Sequence, residues 1–194
     1  MLALPPAAPP APKRQLFVGT ALACGAGTAL LGGMLALWLR FRKDAIDGPD
    51  HRWLPKKISI PEVSSNIMLL SFIGVGIFVQ WAIYSARRDD KRHVGMALGL
   101  TALFAVAIIN AQAAVYSEME LPIRNGTPYG VMFYAITGTF VAFLIVGLIF
   151  TMVTAFRYLG GRTTEREIVT AHAIYWYFMA FAFAMLWFVV YVTK

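Results

Sequence analysis

The stretch Tyr129–Phe156 holds 28 residues and no formal charge. An uncharged apolar run of about 18 residues or more reads as a membrane-spanning helix. At 1.5 Å per residue this one would be about 42 Å long. It must therefore tilt or project beyond the hydrocarbon. The rest of the chain follows the same plan. Of 194 residues, 59% are hydrophobic and 14% charged, with a mean hydropathy of +0.64. That is the composition of an integral membrane protein. The length suits about five spans with short loops, and leaves no room for a soluble domain beside them. A net charge of +7 would suggest nucleic acid in a soluble chain. Here the basic residues sit between apolar runs, where they set topology, so no nucleic-acid partner is expected.

The expected fold is all-α, a polytopic bundle of five transmembrane helices. Residues 1–15 are rich in Pro and Ala and end in Lys13-Arg14. A signal peptide places its charge before the apolar part; here the order is reversed, and a disordered tail is predicted. The five-helix domain then covers 16–194, with helices at about 16–39, 65–86, 94–116, 129–156 and 167–192. In the first helix, small residues recur every four positions: Gly19, Ala23, Gly27 on one face and Gly25, Ala29, Gly33 beside it. Such spacing lets helix backbones approach closely in lipid. It predicts tight packing within the chain or on a partner, with Cys24 as a small packing residue. One cysteine permits no disulfide within the chain.

Residues 40–63 form the longest polar segment, with turn signals at Gly48-Pro49 and Pro55 and an interfacial Trp53. His51 near Asp47 and Asp50 reads as part of a solvated loop rather than a metal site. The second and third helices are joined by a few residues and must be antiparallel neighbours. Gln80, Asn110 and Gln112 lie within them, where polar residues usually hydrogen-bond across helices. Asn125-Gly126-Thr127 fits a glycosylation acceptor only by a short pattern. An odd number of spans puts the termini on opposite sides. With the N-terminus inside, nine Lys and Arg lie inside and eight outside. The two shortest loops, both dense in Arg, then lie inside, which favours a cytoplasmic N-terminus.

An ionisable residue at bilayer depth is the usual signal of function in a membrane protein. The first four predicted helices have none in their interiors. His93 and His172 would both lie near the inner face, where a shared haem is geometrically conceivable and two interfacial histidines are the simpler account. No catalytic residue, cofactor ligand or metal ligand is assigned. Read from its residues, the chain packs against something and performs no chemistry of its own.

Ordered motifs sharpen this. The chain carries Val18-Gly19-Thr20 and Gly33, then Ala86-x-Arg88-x-Asp90, then Gln112-Ala113 with Tyr116. Tyr129-Gly130-x-x-Phe133-Tyr134-x-x-Thr137-Gly138 follows, then Tyr175-Trp176-x-Phe178. In this order and spacing the chain resembles subunit III of the haem–copper oxidases, in the short five-helix form of actinobacterial type. It also departs from that family. Gly27, Val115 and Ala180 stand where the family has carboxylates. Thr139 to Phe143 replace a run with two histidines after Gly138, and Tyr177 replaces another histidine. The resemblance implies the scaffold and not the family's polar cleft.

What the resemblance implies is a non-catalytic subunit of cytochrome c oxidase in aerobic respiration. It would lie in a bacterial plasma membrane beside catalytic subunit I and other respiratory subunits, and bind phospholipid. Haem and copper would belong to the partner subunits. The first helix would be separated from the others, or grouped with the second, by a lipid-filled gap. Candidate packing or partner contacts are Gln80, Asn110, Gln112, Gly27, Gly33, Tyr134, Gly138 and Trp176. An accessory subunit of a nitric oxide reductase, or a small transporter of unknown substrate, are the alternatives.

Overall fold

The computed structural model describes residues 14–49, 51–55, 58–121, 127–160 and 166–193. The tail up to Lys13, together with Asp50, Asn125-Gly126 and Arg162, lies outside the described residues. Five helices are each long and apolar enough to cross a membrane. They are α1 (Gln15–Asp47), α2 (Glu62–Arg87), α3 (Lys91–Met119), α4 (Pro128–Leu159) and α5 (Arg166–Leu186). The last turn of α5 widens into a π-helix over Trp187–Val192. No strand occurs among the described residues, so the fold is the all-α bundle expected.

Local chemistry sets the helix ends. Pro128 starts α4 behind Thr127, whose side chain accepts from the Gly130 N–H at 3.3 Å. Proline suits a first turn because its missing N–H has no partner there anyway. Asp90 caps α3 by accepting from the His93 N–H at 3.1 Å. Between α2 and α3 the chain reverses at Asp89, at φ 57°. α1 continues eight residues past Leu39, through Arg40, Arg42, Lys43 and Asp44. It can do so because every residue from 40 to 47 is compatible with a helix, and Gly48-Pro49 is the first pair that breaks one. At 33 residues α1 is about 50 Å long and stands clear of the hydrocarbon at one end.

α5 is the hub. It packs on α1, α2 and α4, while α3 packs on α2 and α4. In α5, 44% of the apolar stretch is buried, against 28 to 33% in the other helices. The core is aromatic. Phe183 stacks on Phe72 at 5.1 Å and meets Phe140 at 5.3 Å, which ties α2, α4 and α5 together. The outer faces are apolar too: Leu22, Leu70, Ile77, Leu103 and Phe156 are all well exposed. That pattern suits a lipid solvent.

The placing of α1 departs from expectation. It lies against α5 and α4 rather than grouping with α2, so no gap divides it from them. Its buried stripe is Cys24, Gly27, Leu31, Leu35 and Trp38. Neither predicted small-residue row is that stripe. A Cβ at Gly19, Gly25 or Gly33 would meet nothing of another helix within 4 Å, whereas one at Gly27 would be closely approached. Leu and Trp project further than glycine and meet the bulky face of α5 first. Small residues are then left on the outside.

Candidate functional site

Most Ser and Thr hydroxyls in the spans bond back to their own helix, while several longer polar side chains join helices. Tyr177 donates to Gln80 Oε1 at 2.7 Å, linking α5 to α2. Tyr191 donates to Gln112 Oε1 at 3.2 Å, linking the π-turn to α3. Trp187 Nε1 donates to Asn66 Oδ1 at 2.9 Å. Tyr134 donates to the Leu121 carbonyl at 3.1 Å, and Tyr116 to Thr137 Oγ1 at 2.8 Å. Asn110 differs. It is exposed on α3 and its side chain makes no hydrogen bond among the described residues.

Trp176 belongs to a buried cluster. Its indole N–H lies 3.0 Å from both Thr151 Oγ1 and His172 Nε2, which are themselves 2.8 Å apart. An indole N–H can only donate, so Trp176 is the donor to this pair. The other ring nitrogen of His172, Nδ1, is buried without a partner among the described residues. His172 is thus a packed, bonded residue inside α4 and α5. His93 sits at the surface against Asp90, so the two are engaged by different neighbours. His51 Nδ1 lies 2.8 Å from the Ile46 carbonyl and closes the end of α1. No group of three or more metal-ligating side chains occurs among the described residues.

Gly27 stands where the resemblance places a carboxylate. A Cβ there would come within 2.8 Å of Phe178 Cζ and 3.4 Å of Phe143 Cε2. Phe143 itself lies in the run that replaces the family's histidines, and its ring is 6.1 Å from that of Phe178. At Gly27 an aromatic contact of Phe143 and Phe178 joins α4 and α5 against α1. Gly33 and Gly138, by contrast, face open space and pack no helix of this chain.

One end of the bundle is tied by charge. Arg166 pairs with Asp89 at 2.6 Å, joining the α4–α5 and α2–α3 links. Glu167 Oε1 accepts from the Phe17 N–H at 3.0 Å and so caps α1 from another helix. Hydrogen bonds from His93 hold the Asp90 carboxyl below the usual carboxylate range. Sequence reasoning missed these ties, together with Thr151 and the Trp38–Trp53–Tyr129 cluster at the other end. Trp53 as an interfacial residue, and Asp90 and Tyr129 as motif residues, were the signals available.

Five apolar helices joined internally by tyrosine, tryptophan and amide hydrogen bonds define an integral membrane bundle. A family model described as "Cytochrome c oxidase subunit III" matches residues 54–194, and the chain belongs to that family. The match starts after α1. Among curated relatives, cytochrome c oxidase subunit 3 of Bos taurus is 29% identical over 120 residues, which is 62% of this chain and 44% of that protein. That of Sus scrofa gives the same identity and coverage. That of Neotragus moschatus is 29% identical over 131 residues, 64% of this chain and 48% of the relative. The chain thus spans less than half the length of these relatives.

Proposed function

We propose that this chain is a non-catalytic subunit of a haem–copper terminal oxidase in aerobic respiration. It sits in a bacterial plasma membrane beside catalytic subunit I, with its N-terminus in the cytoplasm, and binds phospholipid. Haem and copper are held by the partner subunits. The family match across α2 to α5 carries this reading. The arrangement of polar groups supports it, because Gln80, Asn66 and Gln112 join helices to one another while the exposed Asn110 side chain bonds to nothing among the described residues. The aromatic closure around Gly27 supports a scaffold role rather than proton handling by a buried carboxylate.

A pull-down of the full chain in gentle detergent tests it, with mass spectrometry and a reduced-minus-oxidised spectrum of the eluate. A co-purifying multi-helix subunit with haem a bands is the expected result. Haem b bands alone would transfer the chain to a nitric oxide reductase. A colourless chain that comes away alone would overturn the reading and leave a transporter to be tested.

A further inference from the structure

At the end of the bundle away from the Asp89–Arg166 pair lies a pocket of about 650 Å³. It is bounded by the projecting end of α1, the α1–α2 loop and the start of α4. Its wall includes Phe41, Asp44, Arg52, Trp53, Thr127 and Tyr129. Against it Trp38, Trp53 and Tyr129 form a three-ring cluster, with centroids 5.0 to 5.4 Å apart. All three side chains are more than nine-tenths buried.

Their polar atoms are the telling feature. The indole nitrogens of Trp38 and Trp53 and the hydroxyl of Tyr129 are buried with no hydrogen-bond partner among the described residues. A buried donor left unpaired costs about 1–3 kcal/mol. Three in one cluster are more than a fold leaves without cause. Indole N–H groups only donate, so the missing partner is an acceptor. Arg52 on the wall adds a cation that also only donates. Asp44 supplies the opposite need, an acceptor for an ammonium, with the ring of Phe41 also on the wall. Trp53 and Tyr129 belong to both wall and cluster, which puts their unpaired donors beside the pocket.

We propose that this pocket binds a phosphate ester carrying an amine. The phosphate lies at Arg52 and the aromatic donors, and the ammonium at Asp44. α1 turns from apolar to charged at Arg40, which places the pocket at headgroup depth. A membrane phospholipid with an ethanolamine headgroup and a soluble ester of the same chemistry both meet this description. The proposal rests on the reading that the chain binds phospholipid, and gives that binding a place.

The full chain is purified in detergent and examined by native mass spectrometry with added phosphatidylethanolamine, phosphatidylglycerol or soluble glycerophosphoethanolamine. Phosphatidylethanolamine should be retained over phosphatidylglycerol by about fivefold or more. Arg52→Gln and Asp44→Asn, both on exposed residues, should each remove most of that preference. Tyr129→Phe and Trp53→Phe each remove one donor and should weaken retention, and Tyr129→Phe, which keeps its ring, should do so with little change in melting temperature. Displacement by glycerophosphoethanolamine at equal concentration would assign the pocket to a soluble ester. Equal retention of both lipids, or retention indifferent to all four variants, would overturn the proposal, as would a pocket holding only water. Haem-bearing partners in the same eluate are scored separately. Lipid retained without partner counts against the proposed function alone, and partner retained without headgroup preference counts against the pocket alone.

Discussion

At Gly27 a Cβ would meet Phe178 Cζ at 2.8 Å and Phe143 Cε2 at 3.4 Å, so a side chain there must displace the Phe178 ring. Gly27→Leu should destabilise the chain by about 1–3 kcal/mol through overpacking, read as a lower melting temperature in detergent. Gly27→Glu should fare worse, since it would also bury a carboxylate against two rings. Pairing Gly27→Leu with Phe178→Ala should recover part of the loss. The Thr151–His172–Trp176 cluster makes a second test. Thr151→Val keeps the shape and removes the hydroxyl that Trp176 and His172 share. The loss should be about 0.5–2 kcal/mol, in the range of hydrogen bonds between membrane helices. Both sites were partly visible in the sequence as Gly27 and Trp176. Their partners were not, because Thr151 and Phe178 become neighbours of these residues only through packing between helices.

Among the elements, α3 shows two kinds of polar residue. Gln112 is buried and bonded to Tyr191, whereas Asn110 is exposed. Gln112→Leu should lower the melting temperature of the isolated chain. Asn110→Leu should leave that temperature within a degree or two and weaken retention of the partner in a pull-down. The two amides look alike in a linear reading, since they stand two residues apart on one apolar helix. A turn of about 200° between them decides which faces protein. The cap of α3 carries a pH dependence. The Asp90 carboxyl titrates below its unfolded value, because hydrogen bonds from His93 favour the charged form. Its contribution is therefore present above the unfolded carboxylate pKa, about 4, and is lost as pH falls through the lower folded value. The difference in melting temperature between the chain and Asp90→Ala should be largest near neutral pH and shrink below about pH 4.

For the whole molecule, the Glu167 cap on α1 and the Arg166–Asp89 pair place the N-terminus of α1 at the same end as the two basic links. Glu167→Gln should speed hydrogen exchange at the Phe17 amide and cost about 1 kcal/mol. Cysteine substitutions at Arg87 and Arg52 should label from opposite sides of the membrane, Arg87→Cys from the cytoplasm. Labelling from the same side would break the five-span topology. Five apolar runs and the antiparallel pairing of α2 with α3 were legible in the chain as written. Hydropathy, punctuation by Gly and Pro, and loop length are local properties, and in lipid every span must close its own backbone hydrogen bonds. The eight-residue extension of α1, the π-turn at Trp187–Val192 and the hub position of α5 were not legible. Nor was the choice of Cys24–Trp38 over the small-residue rows as the packing face of α1. Those outcomes depend on which bulky side chains of different helices meet first. That is a matter of shape between segments more than a hundred residues apart, and it was decided only when the helices came together.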